Sequence, residues 1–113
     1  MEMQTEVHGD VAMVNVSGRL DITTAPLLET ALKPIIEGET RALVVCLRGV
    51  DYVSSAGLRV LVSCARALKH DSRPLFVTAV QPYVHEVFEV AGLLEVFNLA
   101  RDNDEALQAL TAN

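Results

Sequence analysis

Two adjacent serines, Ser54 and Ser55, followed by Ala56 and Gly57, are the residues in this sequence best suited to chemistry. A hydroxyl at the start of a helix has two distinct uses. As an N-cap it accepts a hydrogen bond from a free backbone N–H of the first turn. One position further on it meets unpaired N–H groups and the positive end of the helix dipole, which favour an added phosphate. The pattern puts Ser54 in the first position and Ser55 in the second, with Val53 and Leu58 at the N′ and N4 positions of a hydrophobic staple. Gly57, third in the helix, costs roughly 1 kcal/mol against alanine if it is idle. Its missing side chain is expected to leave backbone open to an approaching partner. Taken alone, Ser55 reads as an ordinary solvated serine, and only wider context gives it a role.

Other chemistry finds less support. A hydrolase nucleophile elbow needs Gly-x-Ser-x-Gly, and Ser55 has Val53 before it and Gly57 after it, so half the pattern is missing. No base or oxyanion arrangement can be named for it, and the chain is not expected to be an enzyme. A Gly-x-x-x-x-Gly-Lys-Ser/Thr phosphate loop is absent. His85-Glu86 opens like a zinc-binding helix, but Glu89 stands where the second histidine belongs, and His8 and His70 fall beside turns. No metal and no cofactor are expected. Cys46 and Cys64 read as small buried hydrophobes rather than a disulfide framework. Asp21 and Asp51 remain. If the loops after the second and third strands adjoin, a carboxylate lies near Ser55, where it can bond the hydroxyl and would repel a phosphate.

The elements that must position these residues follow from hydrophobic period. Ala42 to Leu47 is an unbroken apolar run, as in a strand covered on both faces. After Ser55, Leu58, Leu61, Val62, Ala65 and Leu68 recur at helical spacing, leaving Arg59, Ser63, Arg66 and Lys69 on the opposite side. Upstream, residues 3–8 and 11–16 flank Gly9-Asp10 as a hairpin, with the first strand polar enough to be an edge. Ser17 to Asp21 ends the second strand. A helix follows, capped by Thr23 or Thr24, with Pro26 in its first turn, Leu27, Leu28, Ala31, Leu32, Ile35 and Ile36 as its stripe, Pro34 loosening its last turn and Gly38 ending it. Downstream come a strand over 75–80, a helix from Pro82 to Gly92, an extended segment over 94–99, and a last helix begun by Asp102 and Glu105 in a capping-box-like pair. Strands alternating with helices after a hairpin predict a mixed sheet under packed helices, with reactive groups where strand ends meet helix starts.

At 113 residues, half of them hydrophobic, the chain is expected to form one domain with a core that needs no staples. Its formal net charge of −6 opposes nucleic-acid backbones and anionic membranes. No apolar run approaches a membrane span and the amino terminus has no leader character, so a soluble cytoplasmic protein is expected.

Gly18-Arg19-Leu20-Asp21 with Thr24-Ala25, followed by Val50-Asp51-Tyr52-Val53-Ser54-Ser55-Ala56-Gly57-Leu58-Arg59-Val60-Leu61, resembles the bacterial anti-sigma factor antagonists, the small single-domain members of the STAS family. The resemblance runs from the hairpin to the last helix. It implies an α/β fold over residues 1–113, a STAS-like mixed β-sheet of four to five strands packed against about four α-helices. It further implies a non-catalytic protein that binds an anti-sigma factor, itself a serine kinase related to the histidine-kinase ATPases. Phosphorylation of a serine at a helix start breaks that complex, and a metal-dependent serine phosphatase restores it. On these positions Ser55 matches the phosphoacceptor, with Ser54 the alternative. Many members read Asp-Ser-Ser-Gly or Asp-Ser-Thr-Gly, whereas here Ser54 takes the aspartate position and Ala56 the last hydroxyl position. Asp21 matches the family's aspartate beside the acceptor, and Asp21, Ser54, Ser55, Ala56, Gly57 and Arg59 form the implied partner surface. The other reading is a STAS subunit of a different assembly, such as a lipid-transport ATPase complex or a stress-sensing particle, in which the serine is never modified.

Overall fold

No residue from Ala42 to Leu47 is more than 5% exposed, and the strand that these residues begin lies at the middle of the sheet. The computed structural model describes residues 1–111. In chain order it contains β1 (Glu2–His8), β2 (Val11–Leu20), α1 (Ala25–Glu37), β3 (Ala42–Val53), α2 (Ser55–His70), β4 (Leu75–Thr78), α3 (Pro82–Val90), β5 (Asn98–Ala100) and α4 (Asn103–Thr111). The five strands lie in sequence order, β1 antiparallel to β2 and every later neighbour parallel. The expected mixed α/β sheet is therefore present.

Alternation along the strands divides the core in two. Ala12, Val14, Leu43, Val45 and Val77 pack under Leu28 and Leu32 of α1, Leu61 and Leu68 of α2, and Val84 and Phe88 of α3. Three parallel crossovers thus deliver their helices to one face, as connections of a single hand require. On the other face Val11, Met13, Ala42 and Val44 pack with Ala106 and Leu110 of α4, and the partly buried Phe76, Ala100 and Leu107 border them. A polar chain anchors the start of α4: Thr78 Oγ1 donates to Asn103 Oδ1 at 2.6 Å, Asn103 Nδ2 to Asn15 Oδ1 at 3.1 Å, and Asn15 Nδ2 to Glu6 Oε2 at 2.7 Å.

Several boundaries depart from the sequence pattern. β2 does not stop at residue 16; it continues to Leu20 through register shifts at Asn15/Ser17 and Gly18/Arg19. β3 likewise runs past its apolar stretch to Val53 because Gly49 lets Ser17 come close: a Cβ on Gly49 would lie 2.5 Å from the Ser17 Cβ. β4 ends at Thr78, where Ala79 takes a positive φ of 54°. The segment over 94–99 contributes only its end to β5, since Phe97 turns inward onto Phe88 with ring centroids 5.3 Å apart. In α1, Leu27 is 52% exposed rather than part of the buried stripe.

The loops opposite the β2 and β3 carboxyl ends are tied to one another. Arg41 Nε donates to Asp10 Oδ2 at 2.9 Å, and the largely buried Arg73 donates to the carbonyls of Gly38 and Thr40, both at 3.2 Å, and to that of Ile36.

Candidate functional site

β2 and β3 end side by side. Their parallel register pairs Leu20 with Val53, and the Ser54 N–H donates to the Leu20 carbonyl at 2.8 Å, so both strands release the chain at the same level. Asp21 consequently begins the loop that adjoins Ser54, while its carboxylate bonds Thr23 and Thr24. Asp51 stays within β3 and is exposed.

Ser54 is the N-cap of α2. It has extended backbone (φ −94°, ψ 172°), and its Oγ accepts the Gly57 N–H at 3.3 Å. Ser55 is the first helical residue and is exposed, with Arg59 one turn on and exposed as well. Side chains at this spacing are neighbours on a helix surface. The stripe continues to the exposed Arg66 and Lys69, which gives α2 the basic flank read from the sequence. Ala56 is half-buried.

Gly57 differs from the expectation of backbone open to a partner. It is buried, and a Cβ there would lie 2.6 Å from Leu20 Cγ and 3.1 Å from the Leu20 carbonyl oxygen. The glycine is needed because the first turn of α2 sits directly on the last residue of β2, which is itself fully buried. Gly57→Ala is therefore expected to destabilise the fold by about 1–2 kcal/mol, overpacking outweighing the gain of roughly 1 kcal/mol in helix propensity. A lowered urea midpoint measures it, and an unchanged or raised midpoint would refute the close approach.

The turn from β2 into α1 also differs. Thr24 occupies the N-cap position of α1 without making a side-chain cap bond. Its hydroxyl instead accepts from the Asp21 N–H at 2.8 Å and donates to the Arg19 carbonyl at 2.7 Å. Asp21 Oδ1 accepts from the Thr23 hydroxyl at 2.7 Å and from the N–H groups of Thr23 and Thr24 at 2.9 and 3.1 Å. The Thr23 hydroxyl bond, helped by the backbone donors and opposed by partial burial, holds the Asp21 carboxyl below its ordinary pKa. Asp21 is thus an ionised loop organiser whose Oδ1 is spoken for. Its Oδ2 lies 3.8 Å from Arg19 Nε, and the Arg19 guanidinium sits 4.0 Å over the Tyr52 ring. Arg19 and Tyr52 are register partners, so this contact bridges the two strand ends.

Arg19, Tyr52 and Ile22 received no role from residue chemistry. Ile22, in the loop between β2 and α1, is 75% exposed. The available signal was an isoleucine in a short polar turn directly after Asp21. Together these residues offer an exposed hydroxyl, cations from two elements and an isolated apolar side chain, a composition suited to protein contact. Among the described residues no group of three or more His, Cys, Asp or Glu could hold a metal ion. Cys46 and Cys64 are buried free thiols, and burial pushes Cys64 up to about 11.

Comparison with known proteins adds four observations. The family model for the STAS domain matches residues 2–106. An anti-sigma-B factor antagonist of Staphylococcus aureus (strain NCTC 8325 / PS 47) is 30% identical over 99 residues, covering 88% of this chain and 92% of that protein. Among solved structures, an anti-sigma factor antagonist from Mycobacterium paratuberculosis superposes with a TM-score of 0.84 at 30% identity, covering 96% of this chain and 92% of that one. An anti-sigma-factor antagonist (STAS) domain protein from Planctomyces limnophilus reaches a TM-score of 0.87 at 22% identity over 96% of this chain and 97% of that one, a likeness of fold.

Proposed function

The chain belongs to the STAS-domain family, and from that footing we propose that it is an anti-sigma factor antagonist working by partner switching. In its unmodified state it binds an anti-sigma factor that is also a serine kinase of the histidine-kinase ATPase type, so that the sigma factor is freed. Phosphorylation of Ser55 releases the complex, and a metal-dependent serine phosphatase resets it. Its site of action would be the cytoplasm, where ATP is available; no helix among the described residues is long and apolar enough to cross a membrane.

The observation that carries this reading is the division of labour between the two serines. Ser54 is committed to a backbone N–H and half-buried, whereas Ser55 is exposed at the first helical position. A kinase can reach the second hydroxyl without breaking the cap. The partner surface comprises Asp21, Ser54, Ser55, Ala56 and Arg59, with Ile22 added; Gly57 contributes by letting α2 sit close to β2.

Incubation with ATP and serine kinases encoded nearby, followed by peptide mass mapping, tests the proposal. Phosphate is expected on Ser55 and absent in Ser55→Ala. Phosphate on Ser54 alone would select the other hydroxyl. No modification by any such kinase would favour an unmodified subunit of a different STAS assembly.

A further inference from the structure

β1 is the outer strand on one side of the sheet, and its free side presents backbone donors and acceptors along seven residues. Such an edge is a template for another strand unless proline, a bulge, charged side chains (lysine above all) or a covering segment blunts it, and of these β1 carries the charges of Glu2 and Glu6. Glu2–His8 contains no proline or lysine, and all seven of its pairings with β2 run without a register shift. The irregularities of this sheet lie on the other side of β2.

We infer that β1 is a homodimer interface, pairing antiparallel with β1 of a second copy about a twofold axis at Thr5. The argument for a second copy lies in the sequence of the edge. Centred on Thr5, Glu2 falls opposite His8 of the other copy, Met3 opposite Val7, and Gln4 opposite Glu6. An imidazole meets a carboxylate, although His8 Nε2 also lies 3.4 Å from Glu6 Oε1 of its own strand; apolar meets apolar, and an amide meets a carboxylate.

The neighbouring registers are worse. Backbone hydrogen bonding permits slips of the axis by one residue either way. Moving it to Gln4 places Glu2 opposite Glu6, and moving it to Glu6 places Glu6 opposite its own copy. Both oppose like charges, which selects the axis at Thr5.

The faces agree with this pairing. Met3 and Val7 pair in register with Val16 and Ala12, which belong to the core under α1, α2 and α3. Val7 is 68% exposed on that face, a largely uncovered apolar side chain at an edge, and Met3 of the second copy would cover it. Glu2, Gln4, Glu6 and His8 all project to the α4 side, so their pairings form one polar row. The two sheets become one continuous sheet. A strand-only contact is smaller than a standard interface of roughly 1,600 Å², so assembly belongs to high protein concentration. The inference is independent of any modification at Ser55.

Sedimentation equilibrium of the full chain up to about 1 mM tests it, since contacts this small have dissociation constants toward that range. The weight-average mass should rise from 12.3 kDa toward twice that value. Val7→Lys, at a solvent-facing position, should hold the mass at 12.3 kDa while leaving the circular dichroism unchanged. Glu2→Lys should weaken dimerisation about fivefold, two symmetric pairs being altered, and Glu2→Lys with His8→Glu should restore it. A mass of 12.3 kDa over the whole range would overturn the inference. So would a dimer indifferent to Val7→Lys, or a double charge swap that restores nothing.

Discussion

Phosphorylated protein is expected to bind its anti-sigma factor about a hundredfold more weakly than unmodified protein, a difference of about 2.7 kcal/mol. The added group carries about −1.5 to −2 charges at neutral pH. In the free protein that charge is well tolerated. Ser55 is exposed, it lies at the positive end of a sixteen-residue helix, and Arg59 stands one turn away as a counter-charge. Asp21 opposes the phosphate only partly, because its carboxylate is engaged by Thr23, Thr24 and Arg19. The penalty arises when a partner covers the site. Several kcal/mol of solvation are then lost from the dianion, and Arg59, now engaged within its own helix, is less available to the partner. Calorimetric titration of the anti-sigma factor with both forms measures the ratio, and Ser55→Ala should remain within a few-fold of the unmodified protein. Equal affinities for the two forms would remove phosphate as the switch. Backbone amide shifts should move only around residues 20–24 and 52–60; changes across the whole sheet would show that the fold itself had been altered.

Leu20→Ala should be the most damaging single truncation near the site, costing about 3 kcal/mol. Leu20 is fully buried in the main core, and its side chain is the floor on which Gly57 rests. Removing it leaves a cavity that the backbones of β2 and α2, joined by the Ser54 to Leu20 bond, cannot readily collapse around. With a urea dependence of about 1.5 kcal/mol per molar, the midpoint should fall by about 2 M. The same cavity should accommodate a methyl group at position 57. Gly57→Ala is therefore expected to cost clearly less in the Leu20→Ala background than alone, only the 3.1 Å approach to the backbone carbonyl of residue 20 remaining. Strict additivity in that double-mutant cycle would mean that the two residues do not share the space assigned to them.

Much of this arrangement was legible because local rules and tertiary packing agreed. The doubly buried Ala42–Leu47 run, the Gly9-Asp10 hairpin and the Ser54 cap each depend on residues within a few positions of one another. The strand extensions were not legible in the same way. Arg48 and Gly49 interrupt the apolar pattern of β3, and its continuation exists only because Ser17 approaches from β2. Gly57 was singled out correctly as unusual, but its reason lies with Leu20, a residue distant in sequence. Thr24 has the composition of a cap, yet Asp21 supplies stronger local bonding and turns that hydroxyl back onto its own loop. At the site, the serine pair and Asp21 were visible by residue type. The Arg19–Tyr52 contact required the parallel register, and the exposure of Ile22 required the turn.

The bonds that bind the opposite loops together, Arg73 onto the carbonyls of Ile36, Gly38 and Thr40 and Arg41 onto Asp10, give the molecule a handle at its far pole. A fluorophore, an inserted peptide or a surface tether fixed at the solvent-facing tips there would leave Ser55 and its surroundings undisturbed. One added residue between Asp21 and Thr24 would instead throw the two halves of the proposed recognition surface out of step. Variation in length should accordingly accumulate at one pole of the molecule and be resisted at the other.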